Sequence, residues 1–536
     1  MSQKMVTGMA GLAAAALTLT ACAGEGSSSG STGAAAKQRI VVSLDSEISV
    51  LEPQTFRTLG AFAATAGLYC APLREEWTSE GGLQKATGET RPGLAESVEA
   101  SPDGKKVTIK LRDAKFADGS PVTADDVAYT LKRAIDGPGY VKSLTPYLGL
   151  GASSGVTVVD PKTVELAVSG KSPLLMKFLT FQTFGAIQQK TAEAHKTADD
   201  PWATQWFNTN STSCGPYMVE NYSSDAQQIE FKPNPNYYDA ASLPNAGVVM
   251  RYVGDPEQRA LLLEKGQIDF ASGLSPQLLK KLENSNGVKV YRAPSSRLVY
   301  LGMNNAAAPF NNPKVREAVA SAVPIEDLIN SVMQGYAQPA GNVVTSPMET
   351  YAGDKSGNYT FDLAAAKAAL AEAGVTTPLP VELTVRQSRA QDQQSAVFIQ
   401  DKLAQIGIQV QINRLPDAQF SDRLNKKQLN FFIHDWYSWG EDPFYQMAFL
   451  VKSTARTNFS QYANPELDKL IDTGMWEQDP ARRADMSKQA QEMLLSDTPL
   501  VPLYSPDWVV AARDNITGVT RSFTEIVQFD QLGKSN

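Results

Sequence analysis

LRDAKFADGSPVTADDV, residues 111–127 of this 536-residue chain, contains the clearest local signals of secondary structure in the sequence. It continues a run beginning at Lys106 in which apolar and polar residues alternate, as in a half-exposed strand. Asp118 and Gly119 then provide turn residues. Thr123, with Asp126 three residues later, has the spacing of a helix N-cap and its capping box. The stretch therefore predicts a strand, a turn and a helix, in that order.

Strand-like and helix-like patterns alternate outward from this stretch. Strands are predicted at residues 39–44, 94–98, 156–159, 163–168, 268–270, 381–385, 408–412 and 431–433. Helices are predicted at residues 259–265, 313–322, 363–373, 396–406, 465–475 and 480–495. Alternation of this kind predicts mixed α/β layers. Because one hydrophobic core stops growing at about 250–300 residues, a chain of this length is expected to form at least two lobes.

Charge restricts the class of partner. The chain has 49 basic and 57 acidic residues, a net charge of −8, and no run of five or more Lys and Arg residues. Binding nucleic acid takes a concentrated basic surface that displaces counterions. We therefore expect no nucleic-acid partner.

The N-terminal residues have the pattern of a secreted lipoprotein. Lys4 precedes an apolar run, residues 5–19, that is too short for a comfortable membrane span. Residues 1–21 are predicted to be a signal peptide, and Cys22 resembles the acylated cysteine of a bacterial lipobox. Residues 22–36, rich in Gly, Ser and Ala, are predicted to be a flexible tether spanning about 20 Å. The alternative is an ordinary signal peptide followed by an incidental cysteine.

Two cysteines remain beyond the tether, Cys70 and Cys214. Outside the cytoplasm an unused pair of cysteines is a candidate disulfide. Two buried free thiols are the alternative, since spacing in the sequence does not fix the distance between their Cα atoms.

A series of short blocks resembles the peptide/nickel family of extracytoplasmic solute-binding proteins. The stretch at 111–127 belongs to this series, and the other blocks follow in the family's order. They are PGLAES (92–97), SPDG (101–104), CGPY (214–217), NPNYY (234–238), GQID (266–269), MN (303–304), PKVREA (313–318), FDLAAAK (361–367), GIQV (407–410) and NPELD (464–468).

The resemblance implies a type II periplasmic-binding-protein fold of class α/β, with two lobes and a ligand cleft between them. Lobe I would span residues 37–289, with an inserted subdomain at about residues 70–180. Lobe II would span residues 290–505, and residues 506–536 would return to lobe I. The two crossings between lobes would fall near residues 290–301 and 502–508. Ligand would hold the lobes closed by a hinge mechanism.

The function implied by the resemblance is that of the substrate-binding lipoprotein of an ABC importer. We expect a monomer on the outer face of the cytoplasmic membrane, attached through its lipid anchor only. It would deliver a solute, foremost a dipeptide or oligopeptide, to a membrane permease with cytoplasmic ATPases. An oligosaccharide or a metal chelate is the alternative ligand. A secreted peptide-acting hydrolase is the alternative of another class.

The candidate ligand-binding residues come from the resemblance and from their own chemistry. The segment HDWYSWGEDP, residues 434–443, follows a predicted buried strand, and clefts form at such strand ends. Two arginines follow the strand at 381–385, where some family members hold a peptide carboxylate, and arginine fits a carboxylate bidentately. The complete set of candidates is Trp436, Tyr437, Trp439, Asp435, Asp442, Arg386, Arg389, Tyr69, Cys70, Arg297, Tyr300 and Asn304.

Trp439 departs from the family pattern. In peptide-binding members an aspartate three residues after the tryptophan pairs with the ligand's α-ammonium group, and here that position is Trp439. Either Asp435 or Asp442 takes over the ammonium, or the ligand lacks one. Tyr69 and Cys70 match the start of a cleft-lining helix in the family.

Enzymatic motifs are lacking in the context they require. GASSG at residues 151–155 matches the nucleophile-elbow pattern but has neither a preceding buried strand nor a following helix. GKS at residues 170–172 resembles the end of a phosphate-binding loop, but Glu165 stands at the required upstream glycine. Two histidines, His195 and His434, form no recognisable metal cluster with the cysteines. We expect no cofactor, no metal and no catalytic residues.

Overall fold

A computed structural model describes residues 37–55, 58–340, 342–351 and 359–535. The predicted signal peptide, the tether and the lipidated Cys22 lie outside these described residues. Among the described residues, helices long and apolar enough to cross a membrane are absent.

The strands are β1 (Ile40–Leu44), β2 (Leu73–Glu80), β3 (Leu83–Pro92), β4 (Ala95–Ala100), β5 (Lys106–Leu111), β6 (Val156–Asp160), β7 (Thr163–Ala167), β8 (Tyr217–Ser223), β9 (Gln228–Pro233), β10 (Val248–Tyr252), β11 (Phe270–Ala271), β12 (Val288–Ala293), β13 (Leu298–Met303), β14 (Ala337–Gln338), β15 (Leu379–Arg386), β16 (Ile408–Leu415), β17 (Phe431–Trp436), β18 (Leu500–Pro506), β19 (Trp508–Arg513), β20 (Ile516–Thr517), β21 (Val519–Arg521) and β22 (Gly533–Lys534).

The α-helices are α1 (Leu59–Ala66), α2 (Ala124–Asp136), α3 (Leu175–Phe178), α4 (Gln189–His195), α5 (Thr204–Phe207), α6 (Pro256–Glu264), α7 (Pro276–Leu282), α8 (Pro313–Ser321), α9 (Ile325–Asp327), α10 (Leu363–Glu372), α11 (Ala390–Gln405), α12 (Asp417–Asn425), α13 (Pro443–Leu450), α14 (Pro465–Gly474) and α15 (Pro480–Asp497).

Two large mixed sheets organise these elements. The first has the strand order β12-β19-β11-β1-β10-β9-β8, with β1 parallel to both β10 and β11. The second has the order β14-β18-β13-β17-β15-β16, with β15 parallel to both β16 and β17. The chain leaves the first sheet after β12, enters the second at β13, and returns between β18 and β19. Two short passages, residues 294–297 and Asp507, therefore connect the sheets.

Three smaller sheets accompany the large ones. The strands β4-β5-β7-β6 form an antiparallel sheet, β3 pairs with both β2 and β21, and β20 pairs with β22. The predicted helix after Thr123 is confirmed as α2, with both hydrogen bonds of its capping box between Thr123 and Asp126. The stretch at 111–127 thus joins a strand of this sheet to the helix packed beside it.

Strand β17 illustrates how the second sheet is buried on both faces. Phe431 and Ile433 belong to one hydrophobic core, which they share with α8 and α11, whereas Phe432 between them belongs to another core. Successive side chains of a strand point to opposite faces, so a continuous apolar run is needed where both faces are covered. The predicted strand at 431–433 is therefore confirmed, and it extends to Trp436.

Helix α11 differs from its prediction. It begins at Ala390 rather than at residue 396. The sequence did not indicate the earlier start, because the first turns are polar and carry no apolar periodicity. It ends at Gln405, one residue before the predicted end, and Gly407 follows with a φ of +90° that turns the chain into β16. The polar first turn faces a cavity, as described below.

The two body cysteines are joined. Cys70 and Cys214 form a disulfide with their Cα atoms 5.3 Å apart, and both residues are buried. The bond ties the segment after α1 to the segment before β8.

Candidate ligand-binding site

A cavity of about 540 Å³ lies between the two large sheets, within the size range of small-molecule sites. The carboxyl ends of parallel strands from both sheets meet there. Asp45 follows β1 and Ser272 follows β11 in the first sheet, while Arg389 follows β15 and Tyr437 follows β17 in the second. Binding sites form at such strand ends in α/β sheets.

Both passages between the sheets also line this cavity. Ser295 and Arg297 come from the first passage, and Asp507 forms the second. A ligand in the cavity would therefore touch both sheets and the segments about which they could rotate. This arrangement can couple ligand binding to hinge closure.

Among the arginines that line the cavity, two are already engaged by the protein. Arg389 Nη1 lies 2.9 Å from Asp435 Oδ1, and Arg259 donates to the carbonyl oxygens of Val253, Ser272 and Gly273. The guanidinium of Arg297 makes neither a hydrogen bond nor an ion pair with the described residues. It lies over the Tyr437 ring, with Cζ 5.6 Å from the ring centroid, and its Nε is buried without a partner among them. Arg297 is thus the lining guanidinium available to an anionic group.

Three of the acidic side chains that line the cavity already have partners within the protein. Asp45 accepts from Ser272 Oγ at 3.0 Å, Asp507 pairs with Arg292, and Glu525 accepts from the Ser296 backbone N–H at 2.9 Å.

Asp392, in the first turn of α11, is buried and lines the same cavity. Its carboxyl group has neither a hydrogen bond nor an ion pair with any of the described residues, so it is available to a cationic group.

The pKa values of the carboxyl groups near Arg389 are shifted in opposite directions. Burial raises the pKa of Asp435, but the combined effect of Arg389, His434 and Arg297 outweighs burial and holds this pKa well below its usual range. Burial raises the pKa of Asp392 to about 7, and the attraction of Arg389 offsets burial only in part. At neutral pH Asp435 is therefore ionised and paired, whereas Asp392 is poised between its two protonation states.

Three of the residues predicted from the sequence line the cavity: Arg297, Arg389 and Tyr437. Asp435 supports the cavity from behind through its ion pair with Arg389. Arg386 is displaced from the cavity, because its guanidinium packs over the Phe420 ring at 4.6 Å.

The two predicted tryptophans pack against protein rather than line the cavity. Trp436 stacks on Phe449 with ring centroids 5.5 Å apart. Trp439 packs edge-on against Phe62 of α1 at 4.6 Å and also contacts Tyr140 and Phe181. Trp439 therefore connects the segment after β17 to elements that precede the first passage between the sheets.

Asp442, Tyr300 and Asn304 also have roles inside the protein. Asp442 caps α13 by accepting from the backbone N–H groups of Phe444 and Tyr445, and it pairs with Arg483 at 2.5 Å. Tyr300 is fully buried in β13, and Asn304 donates to the Asn430 side chain at 3.0 Å.

Asp442 and Asn304 are thus bonded within the protein and Tyr300 is buried, and none of the three residues lines the cavity.

The prediction that Tyr69 and Cys70 lie at the start of a helix is wrong. Helix α1 ends at Ala66, and both residues follow it in a buried segment. They line a second, smaller cavity rather than the cavity between the sheets. The disulfide of Cys70 with Cys214 occupies its thiol.

His434 is excluded as a charged ligand-binding group. Burial lowers its pKa to about 3, so the imidazole is neutral at physiological pH. Its ring packs between those of Tyr300, Phe420 and Phe459. Within the described part of the chain, groups of three or more His, Cys, Asp or Glu residues that could hold a metal ion are absent.

Sequence reasoning missed four acidic residues of the cavity: Asp45, Asp392, Asp507 and Glu525. Asp45 directly follows the predicted strand at 39–44, which is a signal that could have identified it. Asp392 lies ahead of the predicted start of its helix. Glu525 comes from the C-terminal segment, which only the tertiary fold brings to the cavity.

A turn after β17 docks onto the C-terminal segment beside the cavity. The Tyr437 hydroxyl donates to the Thr524 carbonyl oxygen, and Arg521 pairs with both Glu441 and Glu525. Together with the packing of Trp439 on Phe62, these contacts link the turn after β17 to α1 and to the C-terminal segment.

Two large sheets, joined by two chain passages and separated by a cavity, define a two-lobed binding protein of the type II periplasmic class. Solved structures agree with this fold. The periplasmic binding protein DppA of Helicobacter pylori, in complex with peptide STSA, superimposes with a TM-score of 0.78 at 22% identity, covering 93% of this chain and 98% of that one.

The chain belongs to the bacterial extracellular solute-binding proteins, family 5, whose model matches residues 89–458. It is 29% identical over 444 residues to the probable D,D-dipeptide-binding periplasmic protein DdpA of Escherichia coli, covering 81% of this chain and 83% of that protein. It is 26% identical over 484 residues to the glutathione-binding protein GsiB of Escherichia coli, with 88% and 91% covered. It is therefore an extracytoplasmic solute-binding protein of an ABC importer, which works with a permease and is not an enzyme.

Proposed function

We propose that this protein captures short peptides with free termini in the cavity between its sheets and delivers them to its permease. One observation carries the proposal: the cavity is lined by one guanidinium, Arg297, and one carboxyl group, Asp392, that no described residue pairs. Buried charges are costly unless they are matched. A ligand with an anionic and a cationic end supplies both missing partners.

A free peptide has the required groups. Its α-carboxylate accepts two parallel hydrogen bonds from a guanidinium, and its α-ammonium donates to a carboxylate. The backbone between them can bond to main-chain groups at the strand ends around the cavity, as in strand addition. An uncharged oligosaccharide would leave Arg297 and Asp392 unpaired.

The names of the relatives support the same class of ligand. DdpA is described as D,D-dipeptide-binding, GsiB as glutathione-binding, and the DppA structure contains the peptide STSA. These ligands are peptides or peptide-like molecules with free carboxylates. A metal chelate remains the second candidate ligand.

We further propose that the mature protein is a monomer anchored by lipid at Cys22. The short apolar run before Cys22 and the Gly/Ser/Ala-rich residues after it support this anchor. Radiolabelled palmitate incorporation that is lost in Cys22→Ser tests it, and equal labelling of the two proteins would contradict it.

Calorimetric titration of the purified protein with matched peptides tests the ligand class. We expect a tripeptide with both termini free to bind, and its N-acetylated and C-amidated forms to bind more weakly by about 10-fold or more each, since each lacks one charge-assisted contact. Equal affinity for the free and the doubly blocked peptide would reject the proposal. Binding of an oligosaccharide instead of any peptide would replace it.

A further inference from the structure

The second cavity lies beside the first and has a volume of about 70 Å³. Thr524 lines both cavities, and the residues after it face one or the other: 525–527 line the large cavity, while Gln528 and Asp530 line the small one. A single water needs only about 10–15 Å³. The small cavity therefore has room for the end group of a side chain that enters past Thr524.

A carboxyl group without a complete set of partners lies in the wall of this cavity. Glu75 of β2 is 7% exposed, and one of its oxygens accepts from the Phe523 backbone N–H at 3.1 Å. Its other oxygen, Oε2, is buried and has no hydrogen-bond partner among the described residues. The side-chain amide of Gln528, on the same wall, also has no hydrogen bond with them. Glu75 Oε2 and the side-chain oxygen of Gln528 can therefore each accept a hydrogen bond from a ligand.

The neighbouring cations do not balance Glu75. Arg521 is shared between Glu441 and Glu525, and Arg74 is paired with Asp530.

Lys177, whose Nζ lies 5.4 Å from the centroid of the Phe523 ring, offsets part of the charge of Glu441. None of these cations forms an ion pair with Glu75 among the described residues.

We propose that the small cavity is a subsite for a positively charged ligand side chain, an ammonium or guanidinium group, with Glu75 as its carboxylate partner. The inference rests on the proposed function, because the side chain must belong to a peptide held in the large cavity. A guanidinium has five N–H donors and an ammonium has three, so either satisfies Glu75 Oε2 and the Gln528 amide oxygen together. The preferred ligand is then a peptide containing Lys or Arg.

The protonation behaviour of Glu75 agrees with this role. Burial raises its pKa to about 8, so without a cation the group holds a proton at neutral pH. A bound ammonium or guanidinium would replace that proton and stabilise the carboxylate.

Matched tripeptides test the subsite in the purified protein. Each position in turn carries Lys or its uncharged analogue norleucine, and affinities are measured by calorimetry at pH 8. We expect Lys to bind at least about 10-fold more tightly than norleucine at one position, as for a charged hydrogen bond. Glu75→Gln should abolish this preference. Glu76→Gln, on the adjacent residue of β2, is the matched control and should retain the preference.

The outcomes separate the two proposals. If norleucine and Lys peptides bind the unaltered protein equally at every position, the subsite is rejected and Glu75 takes only a proton. If a preference exists but survives in Glu75→Gln, the assigned residue is rejected. If no peptide binds, the proposed function itself fails. The comparison of Lys with norleucine in the unaltered protein requires no variant to fold.

Discussion

Arg389 is held by Asp435, with Nη1 and Oδ1 2.9 Å apart, at the carboxyl ends of two neighbouring strands. This ion pair engages Arg389 within the protein, whereas the guanidinium of Arg297 has no hydrogen bond or ion pair with the described residues. Arg389 lies where the family resemblance places a carboxylate-binding residue, but its charge is already matched within the protein. The attraction of Asp435 raises the pKa of Arg389 further above its ordinary value. The anionic end of a ligand is therefore assigned to Arg297.

Arg297→Gln should weaken binding of a peptide with a free carboxylate by about 10- to 100-fold, since a charge-assisted hydrogen bond is worth about 1.5–3 kcal/mol. Affinity for the C-amidated peptide should stay the same. Calorimetry measures both. Arg414→Gln is the control, because Arg414 lies on the edge strand β16, outside the cavity, and its side chain donates to Gln393. A uniform loss for both peptides would mean that Arg297 supports the fold rather than the carboxylate.

Asp392 makes binding depend on pH. Its pKa is raised to about 7 by burial, with Arg389 and Arg386 lowering it and Asp435 and Asp417 raising it. Only the ionised carboxylate pairs with an ammonium, so affinity should fall as the pH drops below 7. Tyr504, which lines the same cavity, has its pKa raised by burial and stays neutral.

For a peptide with uncharged side chains, we expect affinity to weaken on the order of 10-fold between pH 8 and pH 5.5. Asp392→Asn should bind weakly and lose this dependence. Asp401→Asn, an exposed position on the same helix, should keep it. A pH profile that is unchanged in Asp392→Asn would assign the titration to another group.

The disulfide closes a loop between positions 144 residues apart in the sequence. Long closed loops restrict the unfolded chain strongly, and such bonds contribute about 2–5 kcal/mol to the free energy of unfolding. The doubly substituted Cys70→Ser, Cys214→Ser protein should melt at a lower temperature than the unaltered protein. Thiol counting by mass spectrometry under denaturing, non-reducing conditions checks the bond itself. Two free thiols there would contradict it.

Glu75 should make stability fall as the pH rises. Its pKa in the folded protein, about 8, exceeds the ordinary value of 4.5, so between these limits the folded state holds a proton that the unfolded state lacks. The free energy of unfolding must then decrease with rising pH in this window.

Glu75→Gln removes this dependence, so denaturant unfolding should find the variant gaining on the order of 2 kcal/mol relative to the unaltered protein between pH 5 and pH 8. Glu76→Gln should show no such gain. Parallel pH curves for the unaltered protein and Glu75→Gln would refute the pKa assignment.

Local signals in the sequence predicted much of the framework. The capping box at Thr123 and Asp126, and the apolar run at 431–433, depend on neighbours in sequence, and both elements formed as predicted. The polar first turn of α11 has no such signal. It is polar because it faces the cavity, which is a consequence of tertiary structure.

The site was less predictable for the same reason. The sequence places Trp439 beside Asp435, but Trp439 packs on Phe62, which lies far away in the chain. Whether Arg297, Asp392 or Glu75 lacks a partner depends on every segment folded around it. Glu75 and Phe523 are 448 positions apart, so no local pattern could reveal their contact.

The most direct test of the central claim is native mass spectrometry of the protein purified without refolding. We expect co-purifying ligands whose masses form a series spaced by amino-acid residues, and these should be lost from the doubly substituted Arg297→Gln, Asp392→Asn protein. A single sugar or metal-chelate mass, retained in that variant, would contradict peptide capture by these two residues.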